Sequence, residues 1–440
     1  MKRRIAVAAA VAATLLGAAA CGSSKNTTTS GNPLDGKGKT LKVYLMVDAQ
    51  TGWKDVVDAA SAKFTQATGA AVDVQYQQWA NHLTKLDATL AGSDVPDIVE
   101  LGNTEASKYV FNGAFADLTS KVNTFDNNST WLTGLSGPCQ ADGKTYCVPY
   151  YAGARVLLYR TDLFQAAGLK APQSYDDLVA AARKLQSAHA SDPKFSAFYL
   201  PGKYWYAAMA WVYGAGGSIA AKGGDGKWAG TLESQASEQG LQKWVDLTKT
   251  YSKGDPTKDE NDQDAVYAQG SSAMLYGNAW ESGAVQQVHK DPNDPNSAMV
   301  DTKVKGKVAT IPLPGLTAGQ GMPTFLGGSI LGVAAKSGKK DLAAEWIKDF
   351  TSTASMTALL AKGVLPNSTA LLDQAASVKG LEAAAAAAKN SWFVPNAPGW
   401  ADVEKSNVLQ QMLVDVVTGK KTLDEAARAA DAQIASTLNS

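Results

Sequence analysis

Residues 41–47 read LKVYLMV, and this apolar run opens the stretch that decides the fold. Two more strand patterns follow it, VDVQY at 72–76 and PDIVEL at 96–101. Amphipathic helix patterns at 53–68 and 81–90 separate the three strands, because their apolar residues recur at helical spacing. A β-α-β-α-β order predicts a parallel sheet with helices on both faces, and ligands of such sheets lie at the carboxyl ends of the strands.

The rest of the chain continues this alternation. Its strand patterns lie at 145–148, 154–159, 197–200, 273–276, 308–312 and 330–335. Its clearest helix patterns lie at 175–188, 234–251, 262–269 and 341–350, and the sequence after residue 355 is almost wholly helical. Because 440 residues exceed what one ordinary hydrophobic core accommodates, we expect an α/β protein with two or more lobes.

Charge and motif content narrow the function classes. The chain has 41 basic and 41 acidic side chains, and this balance argues against a nucleic-acid-binding protein, which needs a basic surface to meet phosphates. The three histidines, His82, His189 and His289, lie far apart and lack metal-ligand spacing. We therefore predict a protein that is not an enzyme and uses no metal or cofactor. The carboxylate pair of a glycosidase remains the open enzymatic alternative.

The first residues have the pattern of an export signal. A short basic segment precedes an apolar, Ala-rich stretch at 5–20, which is too short to span a membrane. The stretch ends at Cys21 in a sequence that resembles a bacterial lipoprotein box, in which the cysteine becomes lipid-modified; a plain signal peptidase site is the alternative. We predict a signal peptide at 1–21 and a flexible tether at 22–39, which would anchor the protein to the extracellular face of the cell membrane.

The two remaining cysteines lie close together in the sequence. Cys139 and Cys147 flank the polar segment QADGKTY, which has the composition of a turn. Two cysteines around a turn in an exported protein predict a disulfide, and two free buried thiols are the alternative.

Several segments, taken in their order along the chain, carry a family resemblance. They are Pro96–Val99 after Ala91-Gly92, Asp142–Tyr151, Leu158–Phe164, Gly270–Trp280, Gly327–Ser329, Pro395–Pro398 and Gly419–Ala426. Together they resemble the extracellular solute-binding proteins of carbohydrate ABC importers, the family typified by maltose-binding protein. The resemblance extends from about residue 40 to residue 440. Cys147 stands where this family usually has a small residue.

The resemblance implies the two-lobed periplasmic-binding-protein fold of type II, in which each lobe is a mainly parallel sheet flanked by helices. One lobe would comprise 40–151 plus 312–352, and the other 152–311 plus 353–440. The chain would cross between the lobes near 150–152 and 311–315, with the ligand in the cleft at this hinge. A monomer would capture a di- or oligosaccharide, such as a chitobiose- or cellobiose-like sugar, by hinge closure and deliver it to ABC permease subunits. The alternative is a lipid-anchored peptide-binding or adhesion module of the same fold.

Sugar binding needs flat apolar faces for stacking and polar groups for the hydroxyls. The aromatic candidates lie in turns or loops near predicted strand ends or beside the Pro-Asn-Ala-Pro segment, and for each of them core packing is the alternative: Trp79, Tyr151, Tyr204, Trp205, Trp280, Trp392 and Trp400. The polar candidates follow predicted strands or stand beside the family segments: Gln50, Asn103, Thr104, Glu105, Glu281 and Ser329. Trp280 is the leading candidate, because it stands at the family's Gly-x-Trp position.

Overall fold

The computed structural model describes residues 34–260, 263–291 and 297–440. The strands in these ranges are β1 Thr40–Met46, β2 Ala71–Gln77, β3 Ile98–Gly102, β4 Gln140–Ala141, β5 Lys144–Thr145, β6 Cys147–Arg160, β7 Ala220–Lys222, β8 Trp228–Gly230, β9 Met274–Asn278, β10 Gln287–His289, β11 Met299–Asp301, β12 Val308–Ile311, β13 Thr324–Val333 and β14 Ser391–Trp392.

The helices include both long amphipathic helices and single turns. They are α1 Val47–Gly52, α2 Lys54–Thr68, α3 His82–Ala91, α4 Asn103–Phe111, α5 Thr133–Ser136, α6 Thr161–Ala166, α7 Tyr175–Ala188, α8 Trp205–Gly214, α9 Gln235–Tyr251, α10 Gln263–Ala268, α11 Glu281–Ala284, α12 Lys340–Phe350, α13 Thr353–Ala361, α14 Leu372–Ala376, α15 Glu382–Ala388, α16 Trp400–Lys405, α17 Val408–Val417 and α18 Leu423–Leu438. None of the described helices combines the length and apolar character that a membrane span requires.

The predicted parallel nucleus is confirmed. Strand β1 pairs in parallel with β2 on one side and with β3 on the other. Helix α2 covers the sheet because its apolar stripe, which includes Val57 and Phe64, is buried against it. The helix ends at Gly69, whose φ of 75° is left-handed and whose N–H donates to the carbonyl of Thr65.

Two long strands, β6 and β13, run through the main sheet. The sequence predicts separate strands at 145–148 and 154–159, but the structure has one continuous strand at Cys147–Arg160. Strand β13 begins six residues before the predicted 330–335 and pairs antiparallel with both β6 and β3. Most of β6 is buried, so its sequence lacks the polar alternation that marks a half-exposed strand.

Two large apolar cores lie at opposite ends of these strands. The first core joins β1, α2 and α12, and the second surrounds α8, α9, α17 and α18. The packing differs from the lobe limits that we predicted at residues 312 and 353. Leu313 and Met322 pack in the second core, whereas Met356 and Leu359 of α13 pack in the first. Apolar character favours burial of a residue but does not show which of two cores the residue joins.

The end of the predicted tether belongs to the folded body. Leu34 packs against the first core, and the N–H of Gly36 donates to the carbonyl of Thr68 at 2.9 Å. The tether predicted at 22–39 is therefore too long at its C-terminal end. The predicted signal peptide, Cys21 and the first part of the tether lie outside the described residues.

The predicted disulfide is confirmed. The sulfur atoms of Cys139 and Cys147 are bonded, and both residues are buried. The segment between them forms the two-stranded hairpin of β4 and β5. Its turn residues, Asp142 and Gly143, have φ values of 50° and 73°, which suit the Asp-Gly turn of a tight hairpin.

Candidate functional site

Loops from both ends of the long strands meet at the middle of β6. Gly102, the last residue of β3, pairs with Ser329 of β13, and Ser329 pairs with Tyr151 of β6. From the other end, the N–H of Ala279, directly after β9, donates to the carbonyl of Ala154 at 3.0 Å. Tyr151 and Ala154 are three strand residues apart, or about 10 Å. The loops that follow β3 and β9 therefore meet near one point of the sheet.

Trp280 presents a free aromatic surface at this point. Its side chain is 67% exposed, more than any other large apolar side chain in the described ranges. It directly follows the turn after β9 and is the N-terminal flanking residue of α11. An exposed indole beside the junction of two lobes is well placed to stack on a flat ligand.

Glu281 anchors the turn that carries Trp280. We predicted it as a ligand acceptor, but it is buried and its oxygens are used by the protein. Oε1 accepts from the N–H of Asn278 at 2.9 Å and from its Nδ2 at 3.0 Å, and Oε2 accepts from Nε2 of Gln263 at 3.0 Å. Burial raises the pKa of Glu281 to about 7, against the opposing effect of these hydrogen bonds. The carboxyl group therefore fixes the geometry of the turn.

Trp79 lies after β2, on the first core's side of the sheet. Its side chain is 37% exposed, and its indole N–H donates to Oδ2 of Asp48. The ring of His82 meets it edge-on, with ring centroids 5.2 Å apart. Nδ1 of His82 lies 2.6 Å from the carbonyl oxygen of Trp79, and Nε2 lies 2.9 Å from Oε2 of Glu105. This indole is therefore held by one hydrogen bond to Asp48 and by its edge contact with His82.

His82 was not among the residues that we predicted for the site. Burial lowers its pKa, but the hydrogen bond and the charge of Glu105 outweigh burial, and the net shift of the pKa is upward. Glu105 also accepts from the N–H of Gly102 at 3.0 Å, so it links α4, β3 and α3. One carboxylate oxygen of Glu105, which we predicted as a ligand-binding residue, is thus already in contact with protein groups.

Glu100 is a second residue that the sequence analysis missed. It is only 2% exposed, and its Oε2 accepts from the N–H of Met46 at 2.7 Å. Oε1 is buried and has no hydrogen-bond partner among the described residues. The neighbouring hydroxyl of Ser329 lowers the pKa of Glu100. Burial is the dominant effect and raises this pKa to about 7.

Four predicted aromatic residues lie in the second core. Tyr204 and Trp400 are fully buried, and Trp205 and Trp392 are nearly so. The ring of Trp205 is 6.2 Å from that of Trp392 and 6.1 Å from that of Trp400. Their faces pack against other core groups, which is the alternative that the sequence left open. Helix α8, whose sequence is apolar all round, is of the kind that becomes buried on every side.

Two predicted polar residues have buried positions. Nδ2 of Asn103 donates to the carbonyls of Gly134 and Leu326, both at 2.8 Å. These bonds tie the start of α4 to β13, so the amide nitrogen has a structural role. Ser329 is fully buried, and its Oγ has no hydrogen-bond partner among the described residues.

The remaining predicted residues lie around the same junction. Gln50 is exposed in α1, and Thr104 is half-buried in the first turn of α4. Tyr151 is half-buried and meets Trp53 edge-on, with ring centroids 5.5 Å apart. These side chains border the region between Trp79 and the crossing strands.

Arg155 is a buried cation at the centre of β6. Its Nη2 donates to both carboxylate oxygens of Glu260, at 2.9 and 3.0 Å, and its Nε donates to the hydroxyl of Tyr204 at 3.0 Å. The guanidinium also lies 4.3 Å from the ring centroid of Tyr206. Such a paired and stacked arginine fixes Glu260 to the crossing strand.

The described residues contain no group of three or more His, Cys, Asp or Glu that could hold a metal ion. The residues at the junction include the exposed aromatic side chains of Trp280 and Trp79.

Comparison with known proteins decides the family. The family described as bacterial extracellular solute-binding protein matches residues 59–388. The chain belongs to this family. The solute-binding protein is 30% identical over 434 residues to the diacetylchitobiose-binding protein DasA of Streptomyces coelicolor, which covers 97% of this chain and 96% of DasA.

Two further relatives extend over nearly the whole chain. The galactooligosaccharide-binding protein of Bacillus subtilis is 24% identical over 447 residues, with 99% of this solute-binding protein and 98% of the relative covered. The structure of the GacH receptor of Streptomyces glaucescens, solved without ligand and with acarbose, superimposes with a TM-score of 0.72 at 20% identity and covers 91% and 98% of the two chains. These likenesses confirm the predicted two-lobed type II fold.

Proposed function

We propose that this solute-binding protein captures a di- or oligosaccharide of the chitobiose type between its two lobes and delivers it to the membrane subunits of an ABC importer. The observation that carries the proposal is the exposed indole of Trp280 beside the lobe junction. The whole-length relationship to a diacetylchitobiose-binding protein supports the choice of sugar.

The chemistry of the junction suits a sugar. A pyranose ring has an apolar face of C–H groups, which packs on an aromatic ring, and a rim of hydroxyls, which need hydrogen-bond partners. Trp280 offers the aromatic face, and the polar groups around Trp79 and Glu105 lie on the other side of the crossing strands. A ligand that touches both sides would hold the lobes together.

Closure of the lobes would take place at the paired glycines of the crossing strands. Gly153 of β6 pairs with Gly327 of β13, and Gly328 follows with a φ of 136°. A Cβ atom on Gly328 would lie 2.1 Å from the carbonyl oxygen of Tyr151, so only glycine fits. The first lobe would then comprise residues 34–151 together with the C-terminal part of β13, α12 and α13. The second lobe would comprise the rest of the described chain.

We also propose that Cys21 carries a lipid and holds the protein at the extracellular face of the cell membrane. The support is the sequence alone: a basic segment, an Ala-rich apolar stretch and a cysteine in a lipoprotein-like box. The variant Cys21→Ser, expressed in a Gram-positive host, is expected to appear in the medium, whereas the wild type stays with the membranes. Equal distribution of the two proteins would reject lipidation.

The proposed function is tested by calorimetric titration of residues 34–440 with diacetylchitobiose, cellobiose, maltose and xylobiose. We expect tight binding of at least one of them, with the acetylated sugar bound most tightly. If a folded sample binds none of the sugars, a peptide ligand becomes the better hypothesis and a peptide library is the next titrant. Release of monosaccharide during the titration would instead indicate a glycosidase.

A further inference from the structure

The crossing strands β6 and β13 have two different faces beside the lobe junction. Side chains alternate between the faces of a strand, so Ala152 and Ala154 lie on one face of β6, and both are buried in an apolar cluster with Leu326. Gly153 lies on the other face of β6 and is paired with Gly327 of β13. Both glycines keep part of their surface accessible. The second face therefore presents backbone without side chains at its centre.

The space above Gly153 is open. Apart from its chain neighbours, no heavy atom among the described residues lies within 4 Å of the position that a Cβ atom would take on Gly153. On Gly327, a Cβ atom would be in ordinary contact, 3.5 Å from a ring carbon of Phe325. Neither glycine has a positive φ. The protein's own packing thus does not require glycine at residue 153, and close approach of a ligand to the backbone is a reason for it.

Two tyrosines border the glycines on this face. Tyr151 comes two residues before Gly153, and Arg155 comes two residues after it. The ring of Tyr206 from α8 covers Arg155, with its centroid 4.3 Å from the guanidinium carbon, and its centroid lies 4.5 Å from that of Phe325. Tyr151 and Arg155 are four strand residues apart, or about 13 Å. The open space between the two tyrosines, with the paired glycines as its floor, is the glycine slot.

The hydroxyl group of Tyr206 is available to a ligand. Tyr206 is half-buried, whereas its neighbours Trp205 and Ala207 in α8 are buried. Its hydroxyl makes no hydrogen bond within the described residues and is not one of their buried polar atoms. Arg155 is itself paired with Glu260, so the ring that stacks on it is held in place before a ligand binds.

We propose that one ring of the captured sugar lies in the glycine slot, with its face on the backbone of Gly153 and Gly327 and a hydroxyl bonded to Oη of Tyr206. The inference rests on the proposed function, since it locates that sugar within the junction. A pyranose face of C–H groups needs a flat surface, which two paired residues without side chains provide. The tyrosine hydroxyl can both donate to and accept from a sugar hydroxyl. The glycines would then determine how deeply a sugar ring enters between the lobes.

The decisive variants are Gly153→Ala and Gly153→Val. Neither should disturb the fold, because the added atoms enter open space and glycine within a strand is itself destabilising. We expect the affinity for the sugar to fall about tenfold with alanine and about a hundredfold with valine, because the larger side chain lifts the ring further from the backbone. The melting temperature should not fall. A defect in folding would lower both quantities.

Two comparisons distinguish a steric contact from a hinge. If Gly153 served only as a hinge, its conformational freedom would already be lost in the alanine variant, and the two variants would have the same affinity. Gly338→Ala is the matched control, because a Cβ atom on this exposed glycine after β13 also meets open space. Its affinity for the sugar should equal that of the wild type.

The role of the tyrosine hydroxyl has its own variant. Tyr206→Phe removes only the hydroxyl, keeps the ring on Arg155, and should weaken binding about fivefold. Tyr213→Phe is the control from the same helix, since its hydroxyl donates to the carbonyl of Phe393 and should not contribute to binding. Equal affinities of Tyr206→Phe and the wild type would overturn the assignment of this hydroxyl.

The measurement is calorimetric titration of residues 34–440, which form a compact unit, with diacetylchitobiose, cellobiose, maltose and xylobiose. A loss of affinity that grows from Gly153→Ala to Gly153→Val, without loss of stability, would support the glycine slot. If the wild type binds a sugar and both variants bind it equally well, the sugar lies elsewhere and the proposed function stands. Equal losses in the two variants would leave only a hinge. A wild type that binds none of the four sugars rejects the proposed function, and the slot with it.

Discussion

The two exposed tryptophans, Trp280 and Trp79, differ in how the protein holds them. Trp280 is the more exposed, and the buried carboxyl group of Glu281 anchors the backbone of its turn. Trp79 has its indole N–H bonded to Asp48 and its ring edge against His82. The comparison indicates that Trp280 offers a whole ring face, whereas Trp79 offers a fixed edge within a polar network.

If this difference matters for binding, truncation of Trp280 should have the largest effect. We expect Trp280→Ala to weaken sugar binding about a hundredfold, because an aromatic residue buried by a ligand typically contributes on the order of 2–3 kcal/mol. Trp280→Phe should recover much of the loss, since it restores an apolar ring face. Calorimetric titration with the best sugar of the panel measures both.

Phe111 provides the matched control for this prediction. It is an aromatic residue with 37% exposure at the C-terminal end of α4. Phe111→Ala should leave the affinity unchanged. Equal losses in Phe111→Ala and Trp280→Ala would mean that general surface effects, and not ligand stacking, explain the result.

The smaller expected effect is that of Trp79→Ala. Here we expect a loss of about tenfold, because part of the indole is already committed to Asp48 and His82 and less of it remains for a ligand. The double variant with Trp280→Ala should lose the sum of the two binding free energies if the rings contact separate parts of the sugar. A loss in Trp79→Ala that exceeds the loss in Trp280→Ala would reverse the comparison.

The positions of the exposed and of the buried aromatic residues were not equally predictable from sequence. Trp280 follows an apolar strand and a Gly-Asn-Ala turn, so its position at the end of β9 was foreseeable. Trp205 and Trp400 were also aromatic candidates, yet both are buried. Sequence shows that a residue is aromatic, but only packing decides whether its face is covered.

Glu100 shows what a closer sequence analysis could have found. It is the one charged residue within the strand pattern IVEL, between residues that are buried on both sides. A carboxyl group in such a strand needs a local partner or a function. The parallel nucleus around it was predicted correctly, because regular alternation of strands and helices encodes it. The hydrogen bond that Glu100 accepts from Met46 depends on how β1 and β3 align, which no local pattern records.

The smallest predicted effect concerns the anchor beneath Trp280 and appears in stability. The pKa of Glu281 is raised from 4.5 to about 7 in the folded protein, so its neutral form is favoured there. Its contribution to stability is complete below the unfolded pKa and is lost as the pH rises through 7. We expect the free energy of unfolding of the wild type to fall by about 1.4 kcal/mol between pH 6 and pH 8 relative to Glu281→Gln.

The glutamine variant is a fair reference because the site can accept it. Its carbonyl can replace Oε1 as the acceptor for Asn278. Its NH₂ can donate to Oε1 of Gln263, which is buried without a partner among the described residues, once the Gln263 amide turns over so that Oε1 replaces Nε2 at this contact. Urea denaturation at several pH values gives the two stability curves. Parallel curves would show that Glu281 ionises as an ordinary surface carboxylate and that its burial beneath Trp280 does not raise its pKa.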